Sequence, residues 1–182
     1  SHAGDFTIIS SHFHPSISVQ SGLQDTRWQV RLEAVRAISE NQSPDNLKLL
    51  LSALSDPDSD VRDAAAAGVE QYGHDALDDL QGILYTGNLN SREMVIHILL
   101  RLQDPDSQTA FINALLHDES AWVRIPAAQA LGKSGGKEAL TALMQALKDT
   151  HPDVIQAVRA ALEQIGTPEA FAALKSHQQE NG

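Results

Sequence analysis

The sequence lacks cysteine, which excludes disulfide bonds and catalysis by a thiol. It also lacks an apolar run approaching the roughly 20 residues of a membrane-spanning helix, because the longest candidate, MVIHILL, is broken by His97. Basic residues are scarce, with 13 Lys and Arg against 24 Asp and Glu and a net charge of −11. Phosphate binding needs clustered Lys and Arg, so nucleic acid is excluded as a predicted partner. We expect a soluble protein that resides in the cytoplasm and does not insert into membranes.

Motifs that carry catalysis are missing as well. The chain has no Gly-rich phosphate loop, no H-E-x-x-H and no credible Ser-His-Asp arrangement. His74-Asp75 and His117-Asp118-Glu119 come nearest to a metal or acid–base site. Both fall at predicted turns, where a capping Asp is sufficient explanation. We therefore predict a non-enzymatic chain with no catalytic residue, no metal ion and no cofactor.

A motif recurs about every thirty residues. Its clearest copies are DTRWQVRLEAVRAI from Asp25, DPDSDVRDAAAAGV from Asp56, DESAWVRIPAAQAL from Asp118 and DTHPDVIQAVRAAL from Asp149. Small or apolar residues return four and eight positions after an aligned apolar residue, which is one face of a helix. The aligned residues are Val30, Val61, Met94, Val123 and Val154. A period of this length is typical of a stacked solenoid.

Each repeat is predicted to be a helical hairpin, because a second apolar segment follows every copy of the motif. Side-chain acceptors before prolines, as at Ser43-Pro44 and Asp56-Pro57, are typical of helix starts. The predicted fold is an all-α superhelix of about five hairpins. Its ten helices are predicted near residues 27–40, 44–54, 57–71, 75–85, 91–102, 105–116, 119–133, 137–147, 152–165 and 168–178.

The predicted organisation is one repeat domain, residues 23–182, after a non-repeat segment, residues 1–22. That segment is a linker, a tag remnant or a cap on the first hairpin. Because the chain begins with Ser1-His2 rather than Met, we expect it to be a fragment of a longer protein. The repeats lie near residues 25–55, 56–87, 88–117, 118–148 and 149–178.

The motif resembles the short HEAT repeats of the phycobilin-lyase type, in which an Asp, often a Trp, then Val-Arg, an Ala pair and Ala-Leu-Gly open each copy. The residues that carry the resemblance most fully are Asp118, Trp122, Val123, Arg124, Ala127, Ala128, Ala130, Leu131 and Gly132. It spans residues 25 to about 176 and implies the superhelical fold. In such arrays the second helix of each hairpin usually lines the concave face. The resemblance thus implies partner-binding positions at Lys48, Asp78, Ile112, Thr141 and Gln145.

Charged residues recur at two aligned positions of the repeats, here called the Asp column and the Arg column. They contain Asp25, Asp56, Asp118 and Asp149, and Arg31, Arg62 and Arg124. We interpret them as a structural ladder, in which acceptors at helix starts and guanidinium donors between adjacent loops hold the repeats in register. In the third repeat Leu89 takes the Asp position and Val95 the Arg position, and in the fifth Ile155 replaces the Arg.

Acidic residues concentrate between Asp45 and Asp79, where nine carboxylates face two cations, Lys48 and Arg62, for a net charge of −7. Most are expected to be helix caps or a solvated face, and the alternative is a patch that attracts a basic partner. Trp28 and Trp122 are expected to seal gaps between hairpins, with an exposed anchor as the alternative for Trp122.

Three functions agree with these observations. The favoured one is a protein-interaction scaffold or adaptor that binds another protein, with a basic surface, along its concave face. The second is a bilin or cofactor attachment or chaperone factor with an apolar groove. The third is an accessory HEAT domain of a larger enzyme, such as a redox enzyme.

Overall fold

The computed structural model describes residues 18–180. This part of the chain consists of short α- and 3₁₀-helices joined by loops, and it contains no strand. Short 3₁₀ turns at Gly73–Ala76 and Pro105–Ser107 lead into two of the helices. The predicted all-α repeat of helical hairpins is confirmed. The α-helices are α1 Val19–Gly22, α2 Trp28–Ser39, α3 Pro44–Ala53, α4 Ser59–Glu70, α5 Leu77–Thr86, α6 Leu89–Leu102, α7 Gln108–His117, α8 Ala121–Ser134, α9 Lys137–Ala146, α10 Pro152–Ile165 and α11 Pro168–Glu180.

Five hairpins follow one another along the chain: α2–α3, α4–α5, α6–α7, α8–α9 and α10–α11. The chain divides into two compact units, residues 1–80 and 81–182, with the boundary inside α5. Most of the predicted segment 1–22 lies outside the described residues, and its last part forms α1, which packs against α2. The division into segments 1–22 and 23–182 therefore stays a prediction.

In the first unit, apolar residues at helical spacing bring α2, α3 and α4 together. Leu32, Val35 and Ile38 lie on one side of α2 and are buried, as are Leu50 and Leu54 at the end of α3. Gly68 of α4 permits close contact with α2, because an added Cβ would lie 2.4 Å from Ser39 Oγ. Burial of these side chains is the main source of stability in such a unit.

The second unit has a similar core. Leu99, Leu115, Leu131, Leu143 and Leu162, one from each of α6 to α10, are almost inaccessible to solvent. The helix α8 lies at the centre, since it packs against α6, α7, α9 and α10. This arrangement gives each hairpin a buried side and an outward side.

Helix starts follow the predicted chemistry with one correction. Ser43 Oγ accepts from Asn46 N–H at 3.1 Å, with Pro44 as the first helical residue, as predicted. The predicted start at Asp56-Pro57 is wrong, because α4 begins at Ser59 and its cap is Asp58. Asp58 Oδ1 accepts from the backbone N–H of Asp60 at 2.9 Å, which leaves the Asp56 carboxylate available for another partner.

A membrane span is not found in the part of the chain that the structure describes, since no helix there combines the necessary length with sufficient apolar character.

Candidate partner-binding surface and the Asp–Arg ladder

Each Asp of the repeated column folds its loop in the same way. The carboxylate accepts a hydrogen bond from the backbone N–H two residues further on, which is an Asx turn. Each carboxylate is therefore fixed beside the start of a first helix. The pairs are Asp25 with Arg27 (2.9 Å), Asp56 with Asp58 (2.9 Å), Asp118 with Ser120 (2.8 Å) and Asp149 with His151 (2.8 Å).

Arg31 connects the loop of the first repeat to that of the second. Its Nε and Nη2 atoms donate to the two oxygens of Asp56, at 2.8 and 2.9 Å. Its Nη1 atom donates to the Asp25 carbonyl at 2.9 Å. Both side chains are nearly buried, with exposed fractions of 12% and 9%. A bidentate pair with so little solvent contact is among the stronger ion pairs in proteins.

Arg124 repeats this arrangement in the second unit. Its Nε and Nη2 atoms donate to the Asp149 carboxylate at 2.8 and 3.1 Å, and Nη1 donates to the Asp118 carbonyl at 2.8 Å. The donor and acceptor are 25 residues apart in both pairs. Each arginine lies six residues after the Asp of its own repeat and pairs with the Asp of the next repeat, so it links neighbouring hairpins.

Arg92, which sequence reasoning missed, has the same role in the third repeat. It donates to the Asp118 carboxylate at 3.0 and 3.3 Å and to the Gly87 carbonyl at 3.0 Å. The predicted register, which put Val95 in the arginine position, is wrong by three residues, and Val95 is fully buried in the core. The signal was present in the sequence, since Arg92 precedes Asp118 by 26 residues.

Two members of the predicted ladder are placed differently. Arg62 donates to the carbonyls of Asp56 (2.7 Å) and Pro57 (3.1 Å), and the residue 25 positions after it is Gly87, which has no carboxylate. Asp25 instead pairs with Arg27 of its own loop, at 2.9 Å. Hydrogen bonds from Arg27 lower the pKa of Asp25 to about 2.

The carboxylates that accept from Arg31 and Arg124 are stabilised as anions. Burial acts to raise the pKa of Asp56, but hydrogen bonds from Arg31 and from the Asp58 backbone outweigh it and leave that pKa below its usual range. The pKa of Asp149 is lowered in the same way, against the effect of burial, by Arg124 and the His151 backbone. A carboxyl whose pKa is lower in the folded chain stabilises the fold wherever it is ionised.

We therefore expect the stability contributed by Asp56 and Asp149 to be complete above about pH 5 and to be lost as the pH falls through their folded-state pKa values. Urea unfolding of the wild type, Asp56→Asn and Asp149→Asn over a pH series measures this. The gap in free energy of unfolding between wild type and each variant should shrink below about pH 4. Asp78→Asn, which changes an exposed carboxyl, is the control. A gap that stays constant down to pH 2 would contradict the assignment.

The acidic stretch between Asp45 and Asp79 divides by role. Asp56 belongs to the ladder and Asp58 caps α4. Asp78 and Asp79 are exposed in the first turn of α5. Carboxylates there interact favourably with the helix dipole. Part of this stretch is therefore structural, and part is exposed charge.

The predicted partner-binding positions lie on the outward sides of the second helices. In the first unit, Lys48 of α3 and Asp78 of α5 are exposed. In the second unit, Thr141 and Gln145 of α9 are exposed, whereas Ile112 of α7 is half-buried. The structure thus presents four of the five positions to solvent.

The outward positions of the second helices are called the outward column below. Exposed aromatic and apolar side chains also occur on second helices, among residues of the second unit. Tyr85 of α5 is 56% exposed and Met144 of α9 is 40% exposed. An open hollow is lined by Tyr85, by Asn113 and His117 of α7, and by Asp118 of the ladder. Sequence reasoning did not single out Tyr85 or Met144, because neither breaks the apolar periodicity.

The two tryptophans differ in exposure. Trp122 is 63% exposed, which fits the alternative of an exposed anchor better than a seal between hairpins. Trp28 is 37% exposed and lines a groove between α2 and α4.

The repeat sequence matches the family model of HEAT repeats over residues 19–99, 86–163 and 108–181. The chain belongs to the HEAT-repeat family. No curated protein sequence matches this HEAT-repeat chain. Its fold is similar to that in the complex of CpcE and CpcF of phycocyanin lyase from Nostoc sp. PCC7120, with a TM-score of 0.63 and 20% identity over 76% of this chain and 89% of that one.

Two further solved structures are similar at lower scores. One is an engineered protein, with a TM-score of 0.48 and 20% identity over 88% of this chain and 84% of that chain. The other is human deoxyhypusine hydroxylase in complex with glycerol, with a TM-score of 0.47 and 21% identity over 81% and 72%. Likeness at such identities concerns the fold, and function must be argued from the surfaces of this chain.

Proposed function

We propose that this HEAT-repeat protein is a non-catalytic interaction module that binds a partner protein along the outward sides of its second helices. The observation that carries the proposal is the division of these helices into two sides. In α9, Ala139, Ala142 and Leu143 are buried, while Thr141 and Gln145 are exposed. Side chains at such positions contribute little to folding and are available for contact with another molecule.

The composition of this surface supports a protein as the partner. Tyr and Met are enriched at protein interfaces, and both occur exposed here, at Tyr85 and Met144. The similar phycocyanin-lyase structure is itself a complex of two proteins. The net charge of −11 favours a partner with a basic surface and disfavours nucleic acid. A cytoplasmic location and the absence of a cofactor belong to the same proposal.

Affinity capture from the native lysate tests the function when the bait carries matched substitutions. The variant that alters the outward column, called the column variant, is Thr141→Arg with Gln145→Arg on α9. The control variant is Gln129→Arg with Gln156→Arg, which makes the same charge change at exposed positions of the first helices α8 and α10. Wild type and control should recover the same stoichiometric protein. The column variant should recover at least about tenfold less, the equivalent of about 1.4 kcal/mol of binding free energy.

Two results would contradict this proposal. Equal recovery by the column and control variants would show that the outward sides of the second helices do not form the binding surface. A visibly coloured eluate without a stoichiometric protein would indicate the cofactor-handling alternative. Mass spectrometry and visible absorption of the same eluate separate these results.

A further inference from the structure

The first unit contains an open groove between α2 and α4, away from the outward column of the second helices. Trp28 and Leu32 line it from α2, and Ala64 and Ala67 line it from α4. Leu32 is buried at its base, while Ala67 and part of the Trp28 ring are exposed. The groove therefore has an apolar floor of small side chains beside an accessible aromatic ring.

Two carboxylates complete the lining of this groove. Asp60 and Asp63 of α4 are exposed, and no described residue pairs with either side chain. They differ in this from Asp56 and Asp58, whose oxygens are used by the ladder and by the α4 cap. A favourable interaction with the helix dipole can explain Asp60, which lies in the first turn of α4, but the dipole effect fades beyond that turn and does not explain Asp63.

The cation that lines the groove does not neutralise these carboxylates. Arg36 is the one Arg or Lys among the described lining residues. Its guanidinium donates to Glu33 Oε1 at 2.8 Å, so its charge is already matched on its own helix. The groove thus keeps two unmatched negative charges next to an exposed indole.

We propose that this groove binds a basic segment of a partner protein, with a lysine or arginine side chain between Trp28 and the Asp60 and Asp63 carboxylates. An indole face attracts a cation, and the carboxylates add charge complementarity. The aliphatic stem of a lysine or arginine suits the apolar floor at Ala64 and Ala67. This surface lies on the first helices, so its occupation is independent of the column proposed above.

The test uses a short lysine- and alanine-rich peptide and the fluorescence of Trp28. The chain has two tryptophans, so in a Trp122→Phe background Trp28 is the single tryptophan and excitation at the red edge of the absorption band reports on it alone. In that background the peptide should shift the Trp28 emission in a saturable way. Asp60→Asn with Asp63→Asn should weaken binding about tenfold, since two carboxylate contacts to a cation are lost. The matched control, Asp75→Asn with Asp153→Asn, removes two exposed carboxylates that lie outside the groove and outside the predicted partner-binding positions, and it should weaken binding less than about twofold.

Three outcomes would overturn the proposal. The first is an emission that does not respond to the peptide although circular dichroism shows the fold intact. The second is an equal loss of affinity in the two double variants, which would reduce the effect to net charge. The third is an emission shift that depends on protein concentration without peptide, which would identify a second copy of the chain as the occupant. None of these depends on Thr141 or Gln145, so the proposed function can fail or hold separately.

Discussion

Arg124→Ala should lower the free energy of unfolding by about 3 kcal/mol, because removal of one partner from a nearly buried ion pair leaves the other charge uncompensated. The Arg124 and Asp149 side chains are only 13% and 11% exposed. The substitution also removes the donor to the Asp118 carbonyl. Urea unfolding followed by circular dichroism measures the loss.

The control for this variant is Arg27→Ala. Arg27 also pairs with an aspartate, Asp25 at 2.9 Å, but its side chain is 64% exposed. An exposed pair of this kind contributes little to stability, so Arg27→Ala should lose clearly less than Arg124→Ala. Equal losses of stability in the two variants would contradict a structural role for Arg124. So would an Arg124→Ala variant that keeps the stability of the wild type but no longer binds its partner protein.

Gly132→Ala should also lower the free energy of unfolding, by up to about 2 kcal/mol, for a different reason. A Cβ at this position of α8 would lie 2.8 Å from both Cα and Cβ of Ala161 in α10. The helices would have to separate, and overpacking of this kind costs about 1–3 kcal/mol. Alanine is otherwise a better helix former than glycine by about 1 kcal/mol, so a net loss of stability is diagnostic of the close contact.

Gly82→Ala is the matched control for the helical glycine. Among residues 18–180, no atom beyond its own helix segment lies within 4 Å of a Cβ at that position of α5, so the variant should gain about 0.5–1 kcal/mol. A double variant, Gly132→Ala with Ala161→Gly, should recover part of the loss, because it removes one of the two clashing atoms. A stabilised Gly132→Ala, or a double variant with purely additive losses, would contradict direct contact between α8 and α10.

The hairpins were predictable because local signals agree with the final packing. Along α10, Val154, Val158 and Leu162 recur at a spacing of four and are all buried, and Pro152 and Gly166 bound the helix. The predicted and observed bounds of this helix are the same, residues 152–165. Where the apolar periodicity of a helix agrees with its start and stop signals, the local sequence is sufficient to predict the helix bounds.

The third repeat was misaligned because its sequence allows two registers. Met94, Ile98 and Leu102 fit the helical spacing, and so do Ser91, Val95 and Leu99. The structure buries all three residues of the second set but only Ile98 of the first. The buried residues include Ser91, whose hydroxyl donates to the Asn88 carbonyl at 2.9 Å. A buried serine gives no hydrophobic signal, so the choice of register depends on packing rather than on pattern.

The candidate surfaces were only partly predictable. Positions such as Thr141 follow from the helical period alone, since they lie opposite a buried side. The groove beside Trp28 does not, because it depends on how closely α2 approaches α4. Likewise, the sequence does not show which of the nine carboxylates are used by neighbours, since Asp56 pairs with Arg31 through a tertiary contact and Asp63 pairs with no described residue.

Asp118 takes part in two rungs: its carboxylate accepts from Arg92, and its carbonyl accepts from Arg124. The fourth repeat therefore supplies an arginine that donates to the loop after it and an aspartate that accepts from the arginine before it. Duplication of the whole fourth repeat, residues 118–148, would keep Arg92 and both copies of Arg124 25 or 26 residues before an aspartate. Insertion of part of a repeat would instead leave a nearly buried charge without its partner. An array built on this ladder can therefore lengthen or shorten without losing stability only in whole repeats.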